Sequence, residues 1–88
     1  MTFKPLNKLL KNLKYEQVNN YQNHKIKNIT NNSKKVGDYS LFVAIKGFNQ
    51  DGHQYIQEAI QKGARIIVGE KNMNLLNIPS KITYIQVN

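Results

Sequence analysis

The chain of 88 residues admits one small domain with one modest core, since chains of this size bury only roughly 60 to 65% of their unfolded surface. Without cysteine, neither disulfides nor thiolate metal sites brace it; no apolar run approaches the ~20 residues of a membrane span and no basic-then-apolar segment opens the chain, so the cytoplasm is the default location. The net charge of +8 raises nucleic acid or an anionic membrane surface as partners, but Arg65 is the only arginine, and lysines scattered among Asn and Ile read as a solvated surface rather than as the planar forks that grip bases and phosphates.

Residues 5–14, PLNKLLKNLK, place Leu6, Leu9, Leu10 and Leu13 at i, i+3, i+4 and i+7, which predicts a short amphipathic helix packed on its own domain, with Pro5 suited to the first turn. The polar stretch YEQVNNYQN at 15–23 has no sustained period and reads as an irregular connection or a frayed edge strand. His24 has no second ligand at metal spacing and is read as exposed. HKIKNIT at 24–30 carries Ile26 and Ile29 and predicts one short strand, followed by a loop or turn in NNSKKVGDYS.

SLFVAI at 40–45 is a continuous apolar, β-rich run, as expected of a strand buried on both faces. Tyr55, Ile56, Ala59 and Ile60 then recur at helical spacing, Gly63 stands where a helix stop belongs, and ARIIVG at 64–69 predicts a second buried strand. Strand, short helix and strand make a βαβ unit with parallel strands, which sets the fold class as α/β. ITYIQV at 82–87 is a further strand, and neither an internal repeat nor a second domain is visible.

Ligands of open α/β sheets collect at the carboxyl ends of the strands, and KGFNQDGH at 46–53 falls there. Asp51 fits an N-cap, Gly47 and Gly52 permit close backbone approach, and the free N–H groups of a helix start attract anions. The same features serve any tight strand-to-helix turn, and the segment is neither a dinucleotide fingerprint nor a P-loop, so spacing alone names no ligand.

Residues 31–70, NNSKKVGDYSLFVAIKGFNQDGHQYIQEAIQKGARIIVGE, carry more. Their order of motifs resembles the N-terminal domain of the Mur ligases, whose usual text is Asp-Ser-Arg, a basic turn with Gly-Asp, Leu-Phe-Val-Ala, Lys-Gly, a short variable stretch, Asp-Gly-His and a helix ending in Lys-Gly-Ala. The resemblance implies a small Rossmann-like domain over residues 1–88 that holds the uridine diphosphate end of a peptidoglycan precursor. A central ATP-binding domain and a third, amino-acid-receiving domain would lie outside this chain. Gly-Phe-Asn before Asp-Gly-His looks most like the ligase that adds the third peptide residue to UDP-N-acetylmuramoyl-L-alanyl-D-glutamate; the alternative is the ligase that adds D-alanyl-D-alanine.

Carried over by position, the resemblance implies that Ser33 contacts the UDP moiety, that Asn31 borders the uracil pocket, and that Phe48, Asn49 and Gln50 line the uridine. His53 reads first as a helix-start residue. No catalytic residue, metal ligand or cofactor site is expected; ATP and magnesium belong to the parent ligase, and without a Gly-x-x-x-x-Gly-Lys-Ser/Thr loop this chain alone is expected to be inactive. The sequence departs from the family pattern at Asn32 and Lys34, which replace Asp and Arg, and at Gly37 and Asp38, which lie two positions ahead of their usual place beside Leu-Phe. Two rivals remain open: a free-standing basic module using the lysines from Lys4 to Lys35, and a structural platform whose pocket has decayed.

Overall fold

The computed structural model describes residues 4–44, 52–72 and 75–87. Its short elements in chain order are β1 (Lys4–Pro5), α1 (Leu6–Leu10), β2 (Gln17–Asn19), β3 (Lys25–Ile26) and β4 (Asn28–Thr30). β5 (Ser40–Ala44), α2 (Ile56–Gln61), β6 (Ile66–Gly69) and β7 (Thr83–Gln86) complete the fold. Single 3₁₀ turns at Ser33–Lys35 and Gly52–Tyr55 precede β5 and α2.

The main sheet has the order β2-β7-β6-β5-β4. β4 through β7 run parallel, and β2 closes one edge antiparallel to β7. This is the α/β architecture expected from the βαβ pattern. Alternation along the strands sends Leu41, Ile66, Val68 and Ile85 to one face and Phe42, Ala44, Ile67 and Tyr84 to the other. Both faces are covered, which is why β5 and β6 read as unbroken apolar runs. On the first face Leu6 is fully buried, and Leu9, Leu10 and Leu13 pack beside it. On the second, Ile56 and Ala59 of α2 meet Val36, Ala64 and Ile82.

The leucine spacing at 5–14 overstates α1. Pro5 is the N-cap, with extended ψ 148°, and the helix runs only Leu6–Leu10 before Asn12 N–H closes a turn on the Leu9 carbonyl at 3.1 Å. So short a helix has no stability of its own, and it is burial of its leucines that holds it. β2 answers the edge-strand reading of the polar stretch, and Asn20 ends it in a left-handed conformation, φ 56°. The following backbone folds over buried Thr83, whose hydroxyl donates to the Asn20 carbonyl at 2.9 Å and accepts from Gln22 N–H at 3.2 Å.

The single strand expected at 24–30 is two. Lys27 N–H turns to the Tyr39 carbonyl at 2.9 Å, so β3 pairs antiparallel with β1 while β4 pairs parallel with β5. His24, read as exposed, is half-buried, and its Nε2 is enclosed without a hydrogen-bond partner. Desolvation, and then the nearby charge of Arg65, push its imidazole below the ordinary value. α2 ends as Gly63 requires: this residue takes φ +116°, its N–H donates to Ile60 O at 3.2 Å, and Ala64 N–H reaches Ala59 O at 3.0 Å. This pair of bonds is a Schellman closure. Among the described residues no helix is long and apolar enough to cross a membrane.

Candidate functional site

All four parallel strands release their chains at one edge. The register Ala44↔Gly69↔Gln86 sets the ends of β5, β6 and β7 side by side, and β4 joins them through Thr30↔Phe42. The segments that leave this edge begin at Asn31, residue 45, Glu70 and Val87. An open parallel sheet binds its ligands at this end.

After β4 the chain makes a turn written into its polar side chains. Asn32 N–H donates to Thr30 Oγ1 at 3.0 Å, and Lys34 N–H donates to Asn32 Oδ1 at 2.9 Å. Asn32 thus caps the 3₁₀ turn, a task that an amide oxygen performs as a carboxylate would. Asn31 is exposed at the end of β4. Ser33 is 8% exposed and lies against α2. Its carbonyl accepts from Lys62 Nζ at 3.3 Å. The neighbouring Ser33 side chain, and then Lys62 with its Nζ 3.3 Å from Glu58 Oε2, hold the Glu58 carboxyl below the usual range. The residue expected to contact a ligand is therefore largely buried against the helix. Phe48, Asn49 and Gln50, like Gly47 and Asp51, lie outside the described residues.

Three residues at the end of β6 form a clamp that pattern reading did not assemble. His53, on the turn entering α2, is 6% exposed, and its Nε2 accepts from Glu70 N–H at 3.0 Å and from Lys71 N–H at 3.3 Å. Tyr84, fully buried on β7, donates its hydroxyl to the Lys71 carbonyl at 2.5 Å. Burial pushes this phenol up to about 12, against a smaller opposing effect of the bond to Lys71 and a small raising one from Glu70. Gly69 lies beneath both rings: a β-carbon there would overlap the Tyr84 hydroxyl and approach His53 Nε2 to 3.0 Å. A glycine closing an apolar run does signal close approach, but its partners are remote in sequence.

Among the described residues no group of three His, Cys, Asp or Glu side chains could hold a metal ion.

The model of the "Mur ligase family, catalytic domain" matches residues 25–87. Over 82 residues the chain is 38% identical to UDP-N-acetylmuramoyl-L-alanyl-D-glutamate--2,6-diaminopimelate ligase of Clostridium tetani, a match covering 93% of this chain and 17% of that protein. It is 42% identical over 67 residues to UDP-N-acetylmuramyl-tripeptide synthetase 2 of Oceanobacillus iheyensis, covering 76% of this chain and 14% of that one. Crystal structure I of MurF from Acinetobacter baumannii shares the fold at a TM-score of 0.61 and 23% identity, over 75% of this chain and 14% of that chain.

Proposed function

Because the chain belongs to the Mur ligase family, we propose that it is the N-terminal domain of a peptidoglycan-precursor ligase and holds the UDP end of UDP-N-acetylmuramoyl-L-alanyl-D-glutamate. The parent ligase, on this reading, activates the precursor carboxylate with ATP and magnesium on other domains and joins the third amino acid to it.

One observation supports the ligand-binding role above the others. β4 and β5 are parallel neighbours, so the turn bearing Asn31 and Ser33 and the segment bearing Phe48, Asn49 and Gln50 start from adjacent strands at the edge where such sheets take nucleotides. Asn31 would border the base, residues 48–50 would cover it, and the Ser33 hydroxyl would donate to an acceptor oxygen of the ligand. Lys34 adds positive charge beside the diphosphate in place of a bidentate guanidinium. The printed names of the relatives favour a ligase acting on the dipeptide precursor; a ligase adding D-alanyl-D-alanine is the alternative.

The test is an NMR titration of the 88-residue chain with the dipeptide precursor, with UDP, ATP and a DNA oligonucleotide as controls. Saturable shifts from the precursor and UDP, centred on Asn31, Ser33 and residues 48–50, are expected. Shifts from DNA alone, collapsing as salt rises, would establish the basic-module reading instead. Silence with every ligand would mean that the pocket is decayed or needs the other domains of the ligase.

A further inference from the structure

We infer that Lys62 is a positioning residue for Ser33: its ammonium holds the Ser33 carbonyl to the end of α2 and so fixes the turn from which the Ser33 hydroxyl would meet a ligand. The consequence for affinity rests on the UDP-binding reading above; the hold itself is read from geometry.

The backbone from which this side chain springs is fixed. Lys62 is the C-cap of α2, its N–H donating to the Glu58 and Ala59 carbonyls at 3.1 and 3.2 Å, and the closure at Gly63 follows it directly. Helical side chains lean back toward the start of their helix, and Lys62 does so: its Nζ lies 3.3 Å from Glu58 Oε2, one turn earlier. An ammonium has three donors and no acceptor. One serves Glu58, and another reaches across to the Ser33 carbonyl at 3.3 Å. The carboxylate thus steadies the ammonium that meets Ser33.

The peptide unit between Ser33 and Lys34 is gripped on both edges. The carbonyl and N–H of a trans peptide point in opposite directions. Here the carbonyl accepts from Lys62 and, at 3.4 Å, from Val36 N–H, while the N–H donates to Asn32 Oδ1 at 2.9 Å. The plane cannot turn without losing a bond, so the backbone torsions that aim the Ser33 β-carbon are set. Ser33 is 8% exposed, and with so little of it open the direction of its hydroxyl decides whether an acceptor oxygen can reach it. The bonds from Asn32 and Val36 lie within the turn and shape it; the bond from Lys62 joins it to the helix against which it packs.

The experiment compares wild type, Lys62→Met, Lys62→Arg and Glu58→Gln in the 88-residue chain. Methionine keeps an apolar stem without the donor, arginine keeps a charged donor, and Glu58→Gln removes the ion pair but leaves the ammonium. The Lys62 and Glu58 side chains are 40% and 44% exposed, so no variant touches the core and each should fold. NMR follows the Ser33 carbonyl carbon and the Lys34 and Val36 amides, with Ile67 inside β6 as the reference, and calorimetry follows UDP. In Lys62→Met these three resonances should shift while Ile67 stays, and UDP affinity should fall roughly three- to tenfold, the range of a net hydrogen bond. Lys62→Arg should return the Ser33 carbonyl toward its wild-type position and restore the affinity. Glu58→Gln, which breaks an exposed i, i+4 pair, should change affinity by no more than about twofold. An unmoved Ser33 carbonyl in Lys62→Met overturns the hold. UDP affinity equal in Lys62→Met and wild type overturns the positioning role, as does a loss that Lys62→Arg fails to restore or that Glu58→Gln matches. Wild type that binds no UDP takes the ligand reading and the positioning role from this chain together, and the NMR shifts still decide the hold.

Discussion

Replacing Gly69 by alanine tests the contact around which the carboxyl edge is built. The new β-carbon would overlap the Tyr84 hydroxyl oxygen and lie 3.0 Å from both Tyr84 Cε1 and His53 Nε2. Neither neighbour can step aside cheaply, since Tyr84 is fully buried and bonded to Lys71, and His53 is bonded to two backbone N–H groups. Alanine gains about 0.5–1 kcal/mol over glycine in a strand from reduced chain entropy. Against this stand about 1–3 kcal/mol for overpacking and about 1 kcal/mol for displacing the Tyr84–Lys71 hydrogen bond. The expected net loss is about 2 kcal/mol, a fall in Tm of roughly 8–16 °C for a domain of this size. Urea denaturation should show it as a lower midpoint with unchanged slope. Tyr84→Phe supplies the decisive control. Alone it should cost about 1 kcal/mol for the lost bond, but it also removes the overlapping oxygen. Gly69→Ala should then cost at least ~1 kcal/mol less in the Tyr84→Phe background than in wild type, well beyond the ~0.3–0.5 kcal/mol within which independent sites add. Strict additivity, or a neutral Gly69→Ala, would refute the reasoning.

Three further outcomes are expected. Tyr39→Gly should stabilise the fold by about 0.5–1 kcal/mol, because Tyr39 sits at φ 62° where a β-carbon is strained; a lower urea midpoint would show that its ring contributes more than the strain costs. Gly63→Ala should cost about 2 kcal/mol, since φ is +116° and the added carbon would lie 3.1 Å from Asp38 Cα and N, backbone atoms that cannot rotate away; retention of the wild-type midpoint would contradict this. Tyr84, with its phenol raised from 10.0 to about 12, favours the folded state while neutral. Its contribution is whole below pH 10 and is lost as pH rises through 12, so the wild type should lose about 2 kcal/mol relative to Tyr84→Phe across that window. Parallel alkaline unfolding curves for the two proteins would exclude it.

What was legible in the sequence follows from where the causes lie. β5 and β6 are buried on both faces, and burial of that kind writes itself locally as apolar runs; Gly63 likewise marks its own helix end because the left-handed turn is a property of one residue. The division of 24–30 into β3 and β4 has no local cause. It depends on a carbonyl at Tyr39 accepting from Lys27 N–H, and no pattern within HKIKNIT encodes that. The site shows the same division: motif order singles out Asn31 and Ser33, but the bond from Lys62 to the Ser33 carbonyl and the meeting of His53, Gly69 and Tyr84 are products of the folded chain.

The displaced Gly-Asp pair shows why a motif departure must be judged on the backbone. Gly37 has no positive φ, and a β-carbon there would meet nothing within 4 Å, so the glycine in this sequence answers no steric demand. The left-handed residue is Tyr39, directly ahead of Ser40, and these two occupy the positions at which the family's Gly-Asp abuts Leu-Phe. The left-handed turn of this chain thus falls at Tyr39 and not at its glycine, the residue best suited to it. Ser40, 1% exposed, fills the aspartate's place by accepting from Gly37 N–H at 2.9 Å and from Asn28 Nδ2 at 3.3 Å, which fastens the crossover to β4. The departure therefore falls on local stability, through strain at Tyr39, while β4 and β5 keep the parallel register that brings the two proposed ligand segments to one edge.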